Sequence, residues 1–257
     1  MHVARPKLAF ERATKVYTTA RASTPAVAIQ DFSFAVESHS FVCLLGPSGC
    51  GKSTLLNMAA GFVRPTSGAV LVDGKQVAGP GWDRGVVFQE YALFPWYTVQ
   101  QNVEIGPRCR GVPPTAVRER AELYLKMVGL FEHRHKYPKE LSGGMKQRAA
   151  LARTLHNDPE IILMDEPFAA VDAQTREALQ DQLLEIWGAM RKTVVFVTHS
   201  IKEAVILSDT IAVMAAHPGR LLRHVSNPLP RPRVRTSSEV NELEREIYET
   251  MFQSAKA

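Results

Sequence analysis

The segment Gly46-Pro47-Ser48-Gly49-Cys50-Gly51-Lys52-Ser53 constrains this chain more than any other stretch of it. Glycines at 46, 49 and 51 let successive backbone amides turn toward one point without side-chain obstruction. The apolar run Phe41 to Leu45 before it reads as a buried strand, and the residues from Lys52 onward read as a helix. Strand, loop and helix in that order are the context in which a G-x-x-x-x-G-K-S pattern forms a phosphate-binding loop. The loop amides and the positive helix end then cradle phosphate oxygens, Lys52 reaches the terminal phosphates, and Ser53, followed by Thr54, holds Mg²⁺. ATP or a similar nucleotide is the expected ligand. Cys50 has two readings: converging amides and Lys52 favour its thiolate and make it more reactive than a buried cysteine, or it is simply small enough for the loop and its sulfur faces away.

The rest of the chain supplies a sheet for that loop. Leu8 to Tyr17 and Val27 to Val36 read as strands flanking the polar stretch Thr18 to Pro25, which suggests an antiparallel subdomain. Ala69 to Val72 followed by Asp73-Gly74 is a hairpin signal. Arg84 to Gln89 reads as a strand, and Val117 to Val128 and Met145 to His156 as helices, with Pro113, Pro114 and Pro138 as breaks. Ile161 to Met164, Thr193 to Val197 and Ile211 to Met214 are buried-strand candidates interleaved with helices near Asp172 to Met190 and Ile201 to Leu207. That alternation predicts an α/β fold with a mostly parallel sheet covered on both faces. After Pro218 comes a linker, Asn227-Pro-Leu-Pro-Arg-Pro, and then a short helix from Glu239 to Phe252.

A phosphate loop alone leaves GTPases, kinases and many ATPases open. Leu141-Ser-Gly-Gly-Met-Lys-Gln147, shortly before Ile161-Ile-Leu-Met-Asp-Glu-Pro167, is where the chain resembles the ABC ATPases, with several motifs in the right order over nearly the whole length. Ser142, Gly143 and Gly144 open a helix whose free amides suit a γ-phosphate, of the chain's own loop or of a partner's. Asp165, ending an apolar strand, is placed to bind Mg²⁺ directly or through water, and Glu166 is the prospective general base. The resemblance implies the ABC ATPase fold, with an antiparallel β subdomain and a helical insert. It assigns residues 1–228 to the ATPase domain, about 93–158 of them helical, and 229–257 to a linker and helix. It also implies a head-to-tail homodimer in which Leu141 to Gly144 serve the partner's ATP. In the same way it implies that Gln89 touches Mg²⁺ and water and that His199 contacts the γ-phosphate and holds Glu166. Tyr17 would stack on adenine, and Asp172 would cross between subunits. Two residues depart from the family pattern: Val171 stands where leucine is usual before Asp172, and Ser200 where importers often carry aspartate after His199.

Phe88-Gln-Glu-Tyr-Ala-Leu-Phe-Pro-Trp96, Gly79-Pro80, Asp165-Glu-Pro-Phe168 and Leu229-Pro-Arg-Pro-Arg233 are similar to the nitrate, sulfonate and taurine importer family. That implies integral membrane permease subunits and an extracytoplasmic solute-binding protein as partners. Tyr91, Leu93, Phe94 and Trp96 form an apolar cluster that either docks a permease segment or packs the helical insert's own core. No window approaches the 18 or so unbroken apolar residues of a membrane helix, so the expected membrane role is peripheral. Met1 to Phe10 holds Arg5 and Lys7 and no signal-peptide core, which points to the cytoplasmic face. Cys43, Cys50 and Cys109 are expected as free thiols. The net charge of +5 raises a nucleic-acid partner, but Thr210 to Ser238 holds five arginines (Arg220, Arg223, Arg231, Arg233, Arg235) and no acid, and so accounts for the whole excess. A soluble ABC ATPase acting on nucleic acid and a small-molecule kinase are therefore the weaker readings.

Overall fold

The structure, a computed structural model, describes residues 5–18 and 25–254. Most of the polar stretch expected between the first two strands lies outside those residues, as do the first four. The chain divides into two compact units: residues 1–81 with 193–257, and residues 82–192.

Unit one begins with β1 (Leu8–Tyr17) and β2 (Ala26–Val36), continues through β3 (Phe41–Leu45) and α1 (Lys52–Ala60), and closes its first segment with β4 (Ser67–Val72) and β5 (Lys75–Gln76). β2, β1, β4 and β5 form the expected antiparallel sheet, with Leu8 opposite both Val36 and Val72. Its buried seam is aromatic: Phe10 meets Phe32 edge-on at 5.4 Å.

Unit two carries β6 (Arg84–Val87), α2 (Val99–Cys109), α3 (Pro114–Met127), α4 (Gly143–His156), β7 (Ile161–Asp165) and α5 (Ala173–Met190). β6 and β7 pair in parallel, Arg84 with Ile161 through Val87 with Met164. Pro114 opens α3 rather than breaking it, at a position where its missing N–H has no helical partner. α2 was not expected, because Pro107 sits inside it. Proline removes the N–H that would bond the Val103 carbonyl. The buried imidazole of His156 takes over that carbonyl through Nδ1 at 3.0 Å. Burial also pushes the His156 pKa down, and the contact requires that Nδ1 carry the proton.

The chain returns to unit one with β8 (Thr193–Thr198), α6 (Ile201–Leu207), β9 (Thr210–Ala215), β10 (Arg220–Ser226) and α7 (Ser238–Ser254). β3 lies between β8 and β9, parallel to both, and β10 runs antiparallel along β9. All five side chains of β3 and all six of β8 are buried, as expected for strands covered on both faces. The mostly parallel α/β core predicted from the apolar runs is present.

β10 has no counterpart among the strands read from the apolar runs. Arg220, Arg223 and His224 sit on an edge strand, where charge is compatible with pairing on one side only. The segment read as a linker is pinned as well. Arg233 Nη1 donates to the carbonyls of Val205, Ile206 and Ser208 at 2.8, 3.0 and 2.8 Å, closing the carboxyl end of α6. Burial pushes the Arg233 pKa down to about 10, still well above neutrality. Arg231 pairs with Asp209, whose other carboxylate oxygen accepts from Phe41 N at 2.8 Å at the start of β3. α7 then buries Val240 and Ile247.

Candidate functional site

Where β3 ends, the glycine loop adopts a backbone closed to other residues. Gly51 has φ +88°, and a Cβ there would lie 2.4 Å from Ile29 Cδ1 and 2.9 Å from the Ala28 carbonyl. Gly219 braces the loop from beneath: a Cβ on it would come within 2.1 Å of the Cys50 carbonyl. That support was not anticipated, although Pro218-Gly219 is a turn signal in its own right. Pro47, Ser48, Gly49 and Ser53 are exposed, Thr54 is half-buried, and Lys52 is 5 % exposed. The Lys52 ammonium donates to the Gly46 and Pro47 carbonyls at 2.8 and 2.9 Å, folded back along the loop. A bare-backbone concavity with an ammonium and a hydroxyl at its helix end fits a Mg²⁺-bound polyphosphate.

Cys50 follows the second of its two readings. Its side chain turns inward, with Sγ 3.8 Å from Lys52 Nζ, and is fully buried. Burial raises its pKa and outweighs the lowering by Lys52, so thiolate is disfavoured at neutral pH. All three thiols are free and Cys109 alone is exposed. Maleimide labelling with peptide mapping should therefore modify Cys109 first and Cys43 and Cys50 at least about tenfold more slowly. Equal rates at Cys50 and Cys109 would contradict the inward orientation.

His199 is exposed immediately after β8. Behind it, Thr198 donates to the buried Glu203 carboxylate at 2.5 Å and accepts from Ser200 N at 3.0 Å. Ser200 accepts from Glu203 N, so the residue that departs from the family pattern serves as the N-cap of α6. Tyr17 ends β1 at the surface, 40 % exposed, with the Lys15 ammonium 5.1 Å over its ring.

In unit two, Asp165 closes β7 and Glu166 comes next at φ +42°. A left-handed conformation costs a non-glycine residue about 1–2 kcal/mol. Here it aims the carboxylate differently from a continuing strand. Gln89 lies two residues past the end of β6, in an exposed turn that also contains Tyr91 and Ala92 at φ +59° and +46°. Two residues not anticipated hold this turn and the segment beyond it. Arg153 of α4 donates to the Tyr91 and Ala92 carbonyls at 3.0 and 2.6 Å. Asn102 of α2, fully buried, bonds Phe94 N at 2.8 Å and the Phe94, Tyr97 and Thr98 carbonyls at 3.1, 3.1 and 3.0 Å. A capping box at Thr98 and Gln101 marks this helix start in the sequence, but nothing there shows that Asn102 turns back onto the loop.

Ser142 caps α4 by accepting from Met145 N at 3.3 Å, after the buried Leu141. A Cβ on Gly143 would stand 3.2 Å from Tyr91 Oη and 3.4 Å from the Ala170 carbonyl, and one on Gly144 3.0 Å from Thr175 Cγ2. Both glycines thus sit where a Cβ would be a tight fit, and they leave the amides of this helix start unobstructed. Asp172 caps α5 through Thr175 N at 3.0 Å, and that bond lowers its pKa. Val171, the other departure, is buried and apolar as leucine would be.

The ABC transporter family model matches residues 29–169, more than half of the chain. This chain belongs to the ABC transporter family. It is 52 % identical over 241 residues to an ABC transporter ATP-binding protein of Methanocaldococcus jannaschii, covering 94 % of this chain and 90 % of that protein. It is 47 % identical over 204 residues to the nitrate import ATP-binding protein of Synechocystis sp., covering 79 % and 77 %. Among solved structures it matches an ATP-binding cassette determined as a dimer after hydrolysis, bound to ADP and Pi. That match has a TM-score of 0.76 and 32 % identity, over 87 % of this chain and 100 % of the other. The fold is the ABC ATPase fold expected, and the activity is ATP hydrolysis coupled to transport. A small-molecule kinase is set aside.

Proposed function

We propose that the chain energises import of a small solute of the nitrate, sulfonate and taurine class, as two copies that close head to tail on two ATP molecules. The observation that carries this reading is a second anion cradle on one chain: the glycine-built start of α4, with Ser142 exposed, in addition to the loop before α1. Two cradles per chain and one γ-phosphate per ATP suit a dimer that pairs the loop of one copy with Leu141 to Gly144 of the other. The identity with a nitrate import protein supports the solute class.

In this reading residues 46–54 bind the phosphates, and Lys52 exchanges the Gly46 and Pro47 carbonyls for phosphate oxygens. Tyr17 stacks on adenine. Ser53, Gln89 and Asp165 are the partners of Mg²⁺, which when bound neutralises charge on the phosphates. Glu166 takes the proton of the attacking water, His199 holds the γ-phosphate side, and Asp172 reaches across to the other copy. Residues 1–228 work as the ATPase domain, with about 93–158 as its helical part, and residues 229–257 as an extension that braces α6.

Phe94 and Trp96 are 36 % and 66 % exposed, and the Phe94 ring centre lies 5.8 Å from that of Trp96 and 5.7 Å from that of Tyr97. They serve as the docking face for a permease segment, and in this reading the chain works at the cytoplasmic face of the membrane. The solute-binding protein then acts from the opposite side, and no nucleic acid takes part. Among the described residues no helix is long and apolar enough to cross a membrane, so attachment depends on this face. Trp96→Ala is expected to weaken co-purification with the permease subunits roughly thirtyfold, the loss of a hot-spot residue worth about 2 kcal/mol. Undiminished co-purification would remove the docking assignment.

A further inference from the structure

We infer that Tyr91 and Arg153 are positioning residues that lock the turn after Gln89 to α4, so that any displacement of the turn is delivered to the helix start at Ser142 to Gly144. The inference rests on the reading of the segment after Gln89 as the permease-docking face.

The turn makes two backbone hydrogen bonds of its own. Tyr91 N bonds the Phe88 carbonyl at 3.2 Å and Ala92 N the Glu90 carbonyl at 2.6 Å. Two successive non-glycine residues then stand in the left-handed region, an arrangement that persists only where surrounding groups enforce it. The enforcing group is one guanidinium. Arg153 Nη1 and Nη2 take the Ala92 and Tyr91 carbonyls separately, and the same group lies 5.9 Å from the centre of the Phe94 ring.

The side chain of Tyr91 makes a second connection. Its hydroxyl stands 3.2 Å from where a Cβ on Gly143, the first residue of α4, would lie. Gly143 and Arg153 are ten residues apart on one helix, about 15 Å along its axis. The turn therefore meets α4 at two separated places, hydrogen-bonded at Arg153 and close to the helix start at Gly143, and so is coupled to the helix along its length. Asn102, by contrast, fastens residues 94–98 to α2. Holding the docking tip and transmitting its movement are thus tasks of different residues.

The test uses the assembled transporter and Arg153→Met, which keeps the apolar stem and removes both donors. The expected result is assembly equal to wild type, a KM for ATP within twofold, and a permease-stimulated kcat at least tenfold lower. Arg153→Lys, able to serve one carbonyl, should recover part of the stimulation. Hydrogen exchange in the isolated variant should quicken at residues 88–92 and in the first turn of α4, and not in α1. Full stimulation of Arg153→Met would overturn the inference. So would failed assembly of a variant with an unchanged melting temperature, since the residue would then belong to docking itself, which Trp96→Ala reports separately. If Arg153→Met does not fold, Arg153→Lys decides: exchange as in wild type at both places overturns the link.

Discussion

Glu166→Gln should bind ATP nearly as tightly as the wild-type chain while turnover falls about 10²–10⁴-fold, the range expected when a positioned general base is removed. The substitution is close to isosteric and leaves every group of the phosphate loop in place. It also leaves the backbone conformation at φ +42° with a side chain of the same shape, so no new strain arises. ATP bound without hydrolysis holds the closed dimer, and a shift from monomer to dimer in Mg-ATP by size-exclusion chromatography is the accompanying result. Steady-state hydrolysis by the purified variant at the wild-type rate would refute the role given to Glu166.

A larger rearrangement of activity is expected from mixing two inactive variants. Lys52→Ala removes the ammonium from the loop, and Ser142→Arg fills the exposed start of α4; each homodimer then lacks both composite sites. Loss of the Ser142 cap costs about 1 kcal/mol, which a domain of this size tolerates. Random pairing makes half the dimers mixed, each with one intact site of two, so roughly a quarter of wild-type hydrolysis should return if a single site turns over. Equal inactivity of a purified mixed dimer and both homodimers would count against the head-to-tail arrangement.

Much of this architecture is legible in the amino-acid order alone. The runs Phe41 to Leu45 and Thr193 to Val197 are apolar because both faces of their sheet are covered, and such runs locate strands well. Helix α2 was hidden by Pro107, since local propensity says nothing of a histidine distant in the chain that adopts the stranded carbonyl. β10 was hidden by its arginines, which one strand partner and a solvent face make acceptable. At the candidate site, the residues of the phosphate loop and of the α4 start declared themselves through glycine spacing and helix position. The residues that hold them did not: Gly219, Asn102 and Arg153 act through contacts with no local pattern. The reactivity of Cys50 was undecided in the sequence for a related reason. Loop membership suggested exposure, but the direction of one side chain depends on packing against Gly46 and decides the sign of its pKa shift.

The discontinuity of unit one bears on how the protein is made. β3, which carries the phosphate loop, has both of its strand neighbours in the second segment, and the Asp209 carboxylate that receives the Phe41 amide lies there too. During synthesis the uninterrupted unit two is complete before β3 gains its first strand partner, β8, and its second edge stays open until β9 has also emerged. The clamp on α6 cannot close until Arg233 has also emerged. A nascent strand of this kind is the aggregation-prone element of the chain. A message truncated before codon 193 therefore yields a product in which the nucleotide loop has no sheet to stand on, however complete its own motif.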